Sequence, residues 1–149
     1  MHELVLITRG ESQVRSYLLD RIPSITVVDC VHGRDAVMTR LAELVKEGTE
    51  VLLTYRCPYI IPEELYTSAS SGAFNLHPSL LPAYSGLNPW EKILEDGLKK
   101  SGVTLHRIGP VPDAGEIIRQ EIFEITSADT LKSAREKADV AAVKLLNNL

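Results

Sequence analysis

The sequence predicts an α/β domain built on a mostly parallel β-sheet, and three observations lead to that expectation. Short continuous apolar runs, which are typical of strands buried on both faces, alternate with amphipathic stretches of helical period. Four strands alternate with helices, and a helix, a β-hairpin and a last helix follow them. The length of 149 residues and the 44% hydrophobic content suit one domain, residues 1–149, with a real core.

The first 48 residues predict two strands, each followed by a helix. Residues 4–7 (Leu-Val-Leu-Ile) are continuously apolar, and residues 24–29 contain three β-branched apolar side chains, so both stretches predict strands. Helices are expected over about 12–21, where the Ser12 hydroxyl can cap the first turn, and from about Asp35 until a glycine stops the second helix.

The loop before the first helix leaves two interpretations open. Gly10 can turn the chain there, and a strand–glycine–helix arrangement can bind an anion at the helix N-terminus. Only one glycine is present, however, and the Glu11 carboxylate would repel an anion. The residues therefore favour a plain turn over a phosphate site.

Residues 50–55 predict the third strand, and residues 63–66 predict a short helix that begins after Pro62. The loop between them has an unusual composition, because it combines two prolines with apolar side chains. Two interpretations of these side chains are open: they pack on the domain's own core, or they line a ligand pocket. They are Tyr59, Ile60 and Ile61.

The fourth predicted strand, residues 72–77, ends with two polar side chains, Asn75 and His77. Because they are two residues apart, an extended backbone points both to the same side. Pro78 then ends the strand pattern, since proline donates no ladder hydrogen bond. In parallel sheets this end is where ligands bind. The residues alone allow a ligand site or a pair that satisfies nearby backbone groups.

After a short helix at about 89–95, two further strands are expected at 102–108 and 116–125. Apolar and polar residues alternate along the first of these strands, and the pair predicts a long antiparallel hairpin. The turn-rich loop between the strands carries one carboxylate, Asp113. A final helix, which we expect Asp129 to cap, presents one apolar stripe to the core. The stripe consists of Leu131, Ala134, Ala138, Ala141 and Leu145.

Composition argues against several classes of function. The net charge is -4 and the basic residues are scattered, so no nucleic-acid surface is expected. No apolar run is long enough to cross a bilayer and no secretory signal is evident, so we expect a cytoplasmic protein without a membrane partner. Cys30 and Cys57 form no Cys-x-x-Cys pair, so reduced thiols and no metal site are expected.

Three stretches of the sequence resemble the folate-dependent formyltransferase family. Residues 75–82 (Asn-Leu-His-Pro-Ser-Leu-Leu-Pro) match its most specific motif. Residues 101–106 are similar to its Gly-Val-Thr-x-His strand, and residues 113–120 to its Asp-x-Gly-x-Ile-Ile-x-Gln segment. The loops at 60–65 and 86–89 are also similar. The resemblance implies a Rossmann-like formyltransferase fold with a compressed N-terminal half.

The resemblance also implies an activity, the transfer of a formyl group from the co-substrate 10-formyltetrahydrofolate to an amine acceptor. The family's catalytic Asn, His and Asp fall on Asn75, His77 and Asp113. The amide and imidazole N–H groups would donate to the oxyanion that develops on the formyl oxygen. Asp113 would pair with the imidazole or relay the amine's proton. The implied folate-binding residues are Tyr59, Ile60, Ile61, Ile108, Gly109 and Val111, and the implied acceptor-binding residues are Gly86, Asn88 and His106.

Departures from the family leave the acceptor open. Glycinamide ribonucleotide enzymes hold the substrate phosphate with a glycine-serine-asparagine turn, whereas residues 8–12 here read Thr-Arg-Gly-Glu-Ser. Two alternatives remain: a hydrolase that releases formate from the same donor, and a non-catalytic folate or nucleotide binder. The sequence does not fix the oligomeric state, and a homodimer is one possibility.

Overall fold

The computed structural model describes all 149 residues. Its six strands form one sheet in the order β2-β1-β3-β4-β5-β6. Helices alternate with the first four strands, in the predicted order. The strands are β1 (His2–Thr8), β2 (Thr26–Asp29), β3 (Thr49–Tyr55), β4 (Gly72–His77), β5 (Lys100–Arg107) and β6 (Ile117–Glu124). The helices are α1 (Gln13–Arg21), α2 (Arg34–Glu47), α3 (Glu63–Tyr66), α4 (Trp90–Glu95) and α5 (Leu131–Asn147), with a 3-10 turn at Cys30–His32.

The predicted fold class is confirmed. Strands β1 to β4 pair in parallel, and β5 and β6 add an antiparallel hairpin to the β4 edge. The second strand is shorter than predicted, because the backbone N–H of Ile25 closes a turn onto the Ile22 carbonyl and pairing begins only at Thr26. None of the five α-helices has the length and apolarity that crossing a bilayer requires.

The prediction that Asp129 caps the final helix is wrong, because Thr130 is the N-cap and its hydroxyl accepts the N–H of Ser133. Asp129 instead stabilises the preceding turn, where its carboxylate accepts hydrogen bonds from the Thr126 N–H and from Lys137. The Lys137 ammonium, helped by these hydrogen bonds, lowers the pKa of Asp129 to about 2. Asp129 and Thr130 both have side chains that can cap a helix, and only the backbone conformation decides which of them is the N-cap.

Two apolar cores lie on opposite faces of the sheet, since successive strand residues point to opposite sides. The face that we call the α5 face is covered by α1, α4 and α5, and its core includes Tyr55, Trp90 and Ala138. The face that we call the α2 face is covered by α2 and α3, and Ile61 lies in its core while Tyr59 packs against it. Both cores end at the carboxyl ends of the parallel strands.

The position of the site follows from the strand order. The chain moves outward from β1 in one direction to β2 and in the other to β3 and β4. The loops that follow β1 and β3 therefore diverge and leave a crevice at the carboxyl ends of the strands, where open α/β sheets bind ligands. The short α3, with one turn of helix, keeps the connection from β3 to β4 compact.

Candidate functional site

A cavity of about 750 Å³ lies in this crevice. That volume is within the range of small-molecule sites. Every sequence-predicted site residue lines it: Asn75, His77, Asp113, Tyr59, Ile60, Ile61, Ile108, Gly109, Val111, Gly86, Asn88 and His106. No group of three or more His, Cys, Asp or Glu side chains is arranged to hold a metal ion.

Asn75 is held by a chain of hydrogen bonds whose direction can be read from the partners. The Thr54 hydroxyl donates to Asn75 Oδ1 at 2.6 Å, so the Asn75 amide nitrogen faces His106 Nε2 at 3.0 Å. His106 Nδ1 donates to the Arg107 carbonyl at 2.8 Å, which leaves Nε2 of the neutral ring as the acceptor. One N–H of Asn75 is therefore used within the protein, and the second is free for a ligand.

His77 is 5% exposed, and both of its ring nitrogens face oxygen atoms. Its Nε2 lies 2.9 Å from the Tyr84 carbonyl, which can only accept, so this nitrogen carries a proton. Its Nδ1 lies 3.5 Å from Asp113 Oδ1. Asp113 Oδ1 can accept a hydrogen bond from this nitrogen whenever the nitrogen carries a proton.

Asp113 lies between the two histidines. Its Oδ1 lies 3.5 Å from His77 Nδ1 and 3.9 Å from His106 Nε2. Its Oδ2 accepts the backbone N–H of Gly86 at 2.6 Å. Gly86, for which the resemblance implies contact with the acceptor, lines the cavity, and its amide fixes Asp113. Asn88 lines the cavity without a side-chain hydrogen bond.

Four residues other than glycine have a positive φ, and all four lie beside the site. Asp113 has φ 57°, and the same region of backbone conformation costs most other side chains about 1–2 kcal/mol. Such strain clusters at binding and catalytic sites, where the surrounding structure maintains it. The other three are Arg56, Tyr84 and Asn88.

The loop after β3 both packs on the core and lines the cavity, so each of the two interpretations holds for part of it. Ile61 is 6% exposed and Tyr59 donates its hydroxyl to the Cys30 carbonyl, whereas Ile60 is 73% exposed. Across the cavity, Val111 is 62% exposed. The backbone N–H groups of Ile60 and Ile61, like those of Gly109 and Val111, donate to no other group of the chain. The walls thus combine apolar surface with free donors.

The two cysteines meet beneath this loop, which the sequence did not suggest. The Cys57 thiol, together with burial, raises the pKa of Cys30, and the neighbouring Cys30 thiol lowers the pKa of Cys57. Cys57 also contacts the Tyr59 carbonyl at 3.5 Å. These contacts tie the cavity wall to the end of β2.

The chain's own Asp29 carboxylate occupies the first loop, at the place where the sequence left anion binding open. Asp29 Oδ1 accepts the N–H groups of Gly10 at 3.1 Å and Val31 at 3.0 Å. Arg15 Nη1 contacts Asp29 Oδ2 at 2.8 Å. The pKa of Asp29 is lowered, most strongly by the hydrogen bond from the Val31 N–H. The Gly10 N–H and the Arg15 guanidinium lower it further. The plain turn is therefore the interpretation that agrees with the structure.

Replacing Asp29 by asparagine is expected to reduce the free energy of unfolding by about 1–3 kcal/mol at pH 7, because these hydrogen bonds lose their charge. Since folding lowers the pKa of Asp29, its contribution is complete well above the unfolded value of 3.8 and disappears as pH falls through the folded value. Urea titrations should therefore show a smaller difference in the free energy of unfolding between wild type and Asp29→Asn at pH 3 than at pH 7. The Asp35→Asn variant, at a fully exposed position, serves as control, and an equal gap at both pH values would contradict the assignment.

Several residues of the site escaped sequence reasoning because no motif marks them. Thr54 is the residue opposite Asn75 in the β3–β4 register, which only the paired strands reveal. The Tyr55 hydroxyl donates to the buried Asp139 of α5, and Asp139 also lies 3.3 Å from Arg56. Burial, with the Asp139 carboxylate nearby, raises the pKa of Tyr55, which remains a donor. Trp90 lines the cavity and has an indole N–H without a partner.

These features define an α/β domain with a cavity at the carboxyl ends of its parallel strands, lined by Asn75, His77 and Asp113. The sequence profile described as formyl transferase matches residues 32–148, which is more than three quarters of the chain. The chain belongs to the formyl transferase family.

Solved structures agree with this assignment. Glycinamide ribonucleotide transformylase 1 from Symbiobacterium toebii is 22% identical with a TM-score of 0.82, over 99% of this chain and 85% of that one. A formyltetrahydrofolate deformylase from Pseudomonas syringae is 20% identical with a TM-score of 0.84, over 99% of this chain and 59% of that one. A Mycobacterium tuberculosis protein proposed to be a sugar N-formyltransferase is 26% identical with a TM-score of 0.82, over 99% of this chain and 66% of that one. At such identities the first two comparisons concern the fold.

Proposed function

We propose that this protein is an N-formyltransferase that moves a formyl group from 10-formyltetrahydrofolate to an amine, with Asn75, His77 and Asp113 as the catalytic residues. The observation that carries the proposal is the convergence of an amide N–H, an imidazole and a carboxylate in one cavity, although Asp113 lies 36 positions after His77 in the sequence. Formyl transfer needs these groups, and the family membership makes this the first reaction to consider.

The proposed reaction begins when the amine nitrogen attacks the formyl carbon of the donor. The free N–H of Asn75 and the Nδ1–H of His77 donate to the formyl oxygen as it becomes an oxyanion, and one such donor can supply about 3 kcal/mol. The Asp113 carboxylate stabilises the His77 imidazolium and takes the proton that the amine loses, directly or through water. The bond from carbon to the folate nitrogen then breaks, and the proton that Asp113 took from the amine passes to that nitrogen.

The donor is proposed to lie between the loop after β3 and the loop after β5. Exposed Ile60 and Val111 offer flat apolar surface on which a pterin ring can stack. The free N–H groups of Ile61 and Gly109 can pair with the polar edge of such a ring. The residues present thus fit a folate, and the formyl group that it supplies would point towards Asn75.

The experiment that tests the proposal is incubation of the purified chain with 10-formyltetrahydrofolate, with and without a mixture of small primary amines. We expect the release of tetrahydrofolate to depend on the amines and the formylated amine to appear by mass spectrometry. Formate release without amines would identify the hydrolase instead. Donor binding without any turnover would identify a non-catalytic binder, and either result would overturn the proposed function.

A further inference from the structure

Strand β6 forms one edge of the sheet, and no strand of the chain pairs with its outer side. Just after the strand, the Ile125 N–H donates to the Lys99 carbonyl, which directly precedes β5. Backbone groups alternate between the two sides of an antiparallel strand, so those of Gln120 and Ile122 point outward. The edge therefore offers a row of free backbone donors and acceptors, to which another strand can pair.

Proteins normally protect such an edge, and β6 has little protection. Residues 117–124 read Ile-Ile-Arg-Gln-Glu-Ile-Phe-Glu, without proline or lysine, and a register shift disturbs only the start of the strand. Three isoleucines of the strand are exposed, Ile117 at 44%, Ile118 at 39% and Ile122 at 60%. An exposed edge strand with this apolar content is expected to associate with another strand.

The side chains of β6 alternate between the two faces of the sheet. Glu121 points to α5, where the Lys144 ammonium lies 3.2 Å from its carboxylate. The next residue, Ile122, therefore points to the opposite face, on which Gln120 donates to the Leu81 carbonyl. The strand carries charged groups on one face and exposed apolar surface on the other, so a partner strand has to complement both.

The sequence of β6 is complementary to itself when two copies run antiparallel about a two-fold axis at Gln120. Each Arg119 then lies opposite Glu121 of the other copy, and each Ile118 lies opposite Ile122 of the other copy. Directly opposed side chains of opposite charge, and directly opposed apolar side chains, stabilise neighbouring strands. The outward backbone groups of Gln120 meet those of its own copy, as a hydrogen-bonded antiparallel pair requires.

The neighbouring registers of the same pairing are less favourable. An axis at Arg119 would put two guanidinium groups directly opposite each other, and an axis at Glu121 would do the same with two carboxylates. Like charges in this position destabilise neighbouring strands. With the axis at Gln120, like charges meet only at the ends of the paired segment, where Glu116 faces Glu124 of the other copy. The charge pattern therefore favours one register.

We propose that two copies of this chain associate through β6, antiparallel about Gln120, so that the two six-stranded sheets become one continuous sheet. The partner is a second copy because β6 complements its own sequence in both charge and apolar surface. A two-fold contact uses the edge of each copy once, so the product is a closed dimer and not a filament. None of residues 117–124 lines the cavity, so the inference does not rest on the proposed function.

The first test measures the mass of the purified chain by sedimentation equilibrium over a series of protein concentrations. We expect the mass to rise with concentration towards that of two chains and to stop there. A chain that stays monomeric up to about 1 mM, the weak end of specific association, would overturn the proposal. A mass that continues to rise beyond two chains would also overturn it, because a two-fold contact closes.

The second test uses charge reversal to identify the register. Arg119→Glu and Glu121→Arg each put like charges opposite each other twice in the dimer, so each variant alone should dimerise about tenfold more weakly. An equimolar mixture of the two variants should recover the wild-type affinity, because both contacts of the mixed dimer again join opposite charges. Arg40→Glu, the same reversal on α2, is the control and should dimerise like the wild type.

Recovery in the mixture requires contact between position 119 of one copy and position 121 of the other, so a folding defect in either variant does not produce it. A mixture as weak as the separate variants, or variants that dimerise like the wild type, would overturn the proposal. Ile122→Ser removes exposed apolar surface outside the core and should weaken the dimer about tenfold. Unchanged association of Ile122→Ser would also count against an interface at β6.

Discussion

Replacing Asn75 by alanine is expected to lower kcat for formyl transfer about 100- to 1,000-fold, with little change in the affinity for the donor. The reason is the geometry of the amide. Thr54 and His106 occupy its oxygen and one of its N–H groups, so that the other N–H has a single available use, donation to the developing oxyanion. That charge exists only in the transition state, so its stabilisation affects kcat rather than binding.

Steady-state rates at saturating donor, together with a separate titration of the donor, would measure the two effects. The matched control is Asn147→Ala, which also removes a side-chain hydrogen bond, with the Tyr17 hydroxyl, but lies outside the cavity. Activity of Asn75→Ala within threefold of this control would show that the amide does not stabilise the oxyanion.

The second large effect is expected from Asp113→Asn, which should lower kcat about 100- to 10,000-fold. Asparagine has the same shape and can still accept the Gly86 N–H, but it cannot accept a proton and does not stabilise a charged His77. The variant therefore separates the chemistry of the carboxylate from its role in fixing the loop.

Single-turnover rates and a donor titration are the measurements for Asp113→Asn, with Asp35→Asn as the exposed control. Donor binding should survive, because the apolar walls and the free N–H groups near Ile61 are unchanged. An unaltered rate would mean that water alone accepts the amine's proton, and lost binding would mean that Asp113 holds the donor.

Periodicity and turn residues predicted the elements well, because each strand and helix carries its own local signal. Residues 72–77 were predicted as a strand and form β4, and the hairpin expected after it is formed by β5 and β6. Local signals failed where two neighbouring residues could serve the same purpose. Asp129 and Thr130 are both good caps, and the choice between them depends on backbone conformation.

In the candidate site, too, local spacing predicts one part of the arrangement and tertiary structure decides the other. Spacing alone predicted that Asn75 and His77 share a side, since the period of a strand is two residues. The hydrogen bond between Asn75 and His106 depends instead on the antiparallel register of β4 and β5, which joins residues 31 positions apart. Register depends on the packing of whole strands, so no local pattern reports it.

The sequence by itself determined the α/β class, the order of the elements and the three motifs that mark the family. Only the tertiary structure decided that Asp29 fills the first loop and that Cys30 meets Cys57. The physical reason is that secondary structure follows from neighbouring side chains and backbone. A charge or a donor acquires its role only when distant segments fold around it and either supply a partner or leave it free for a ligand.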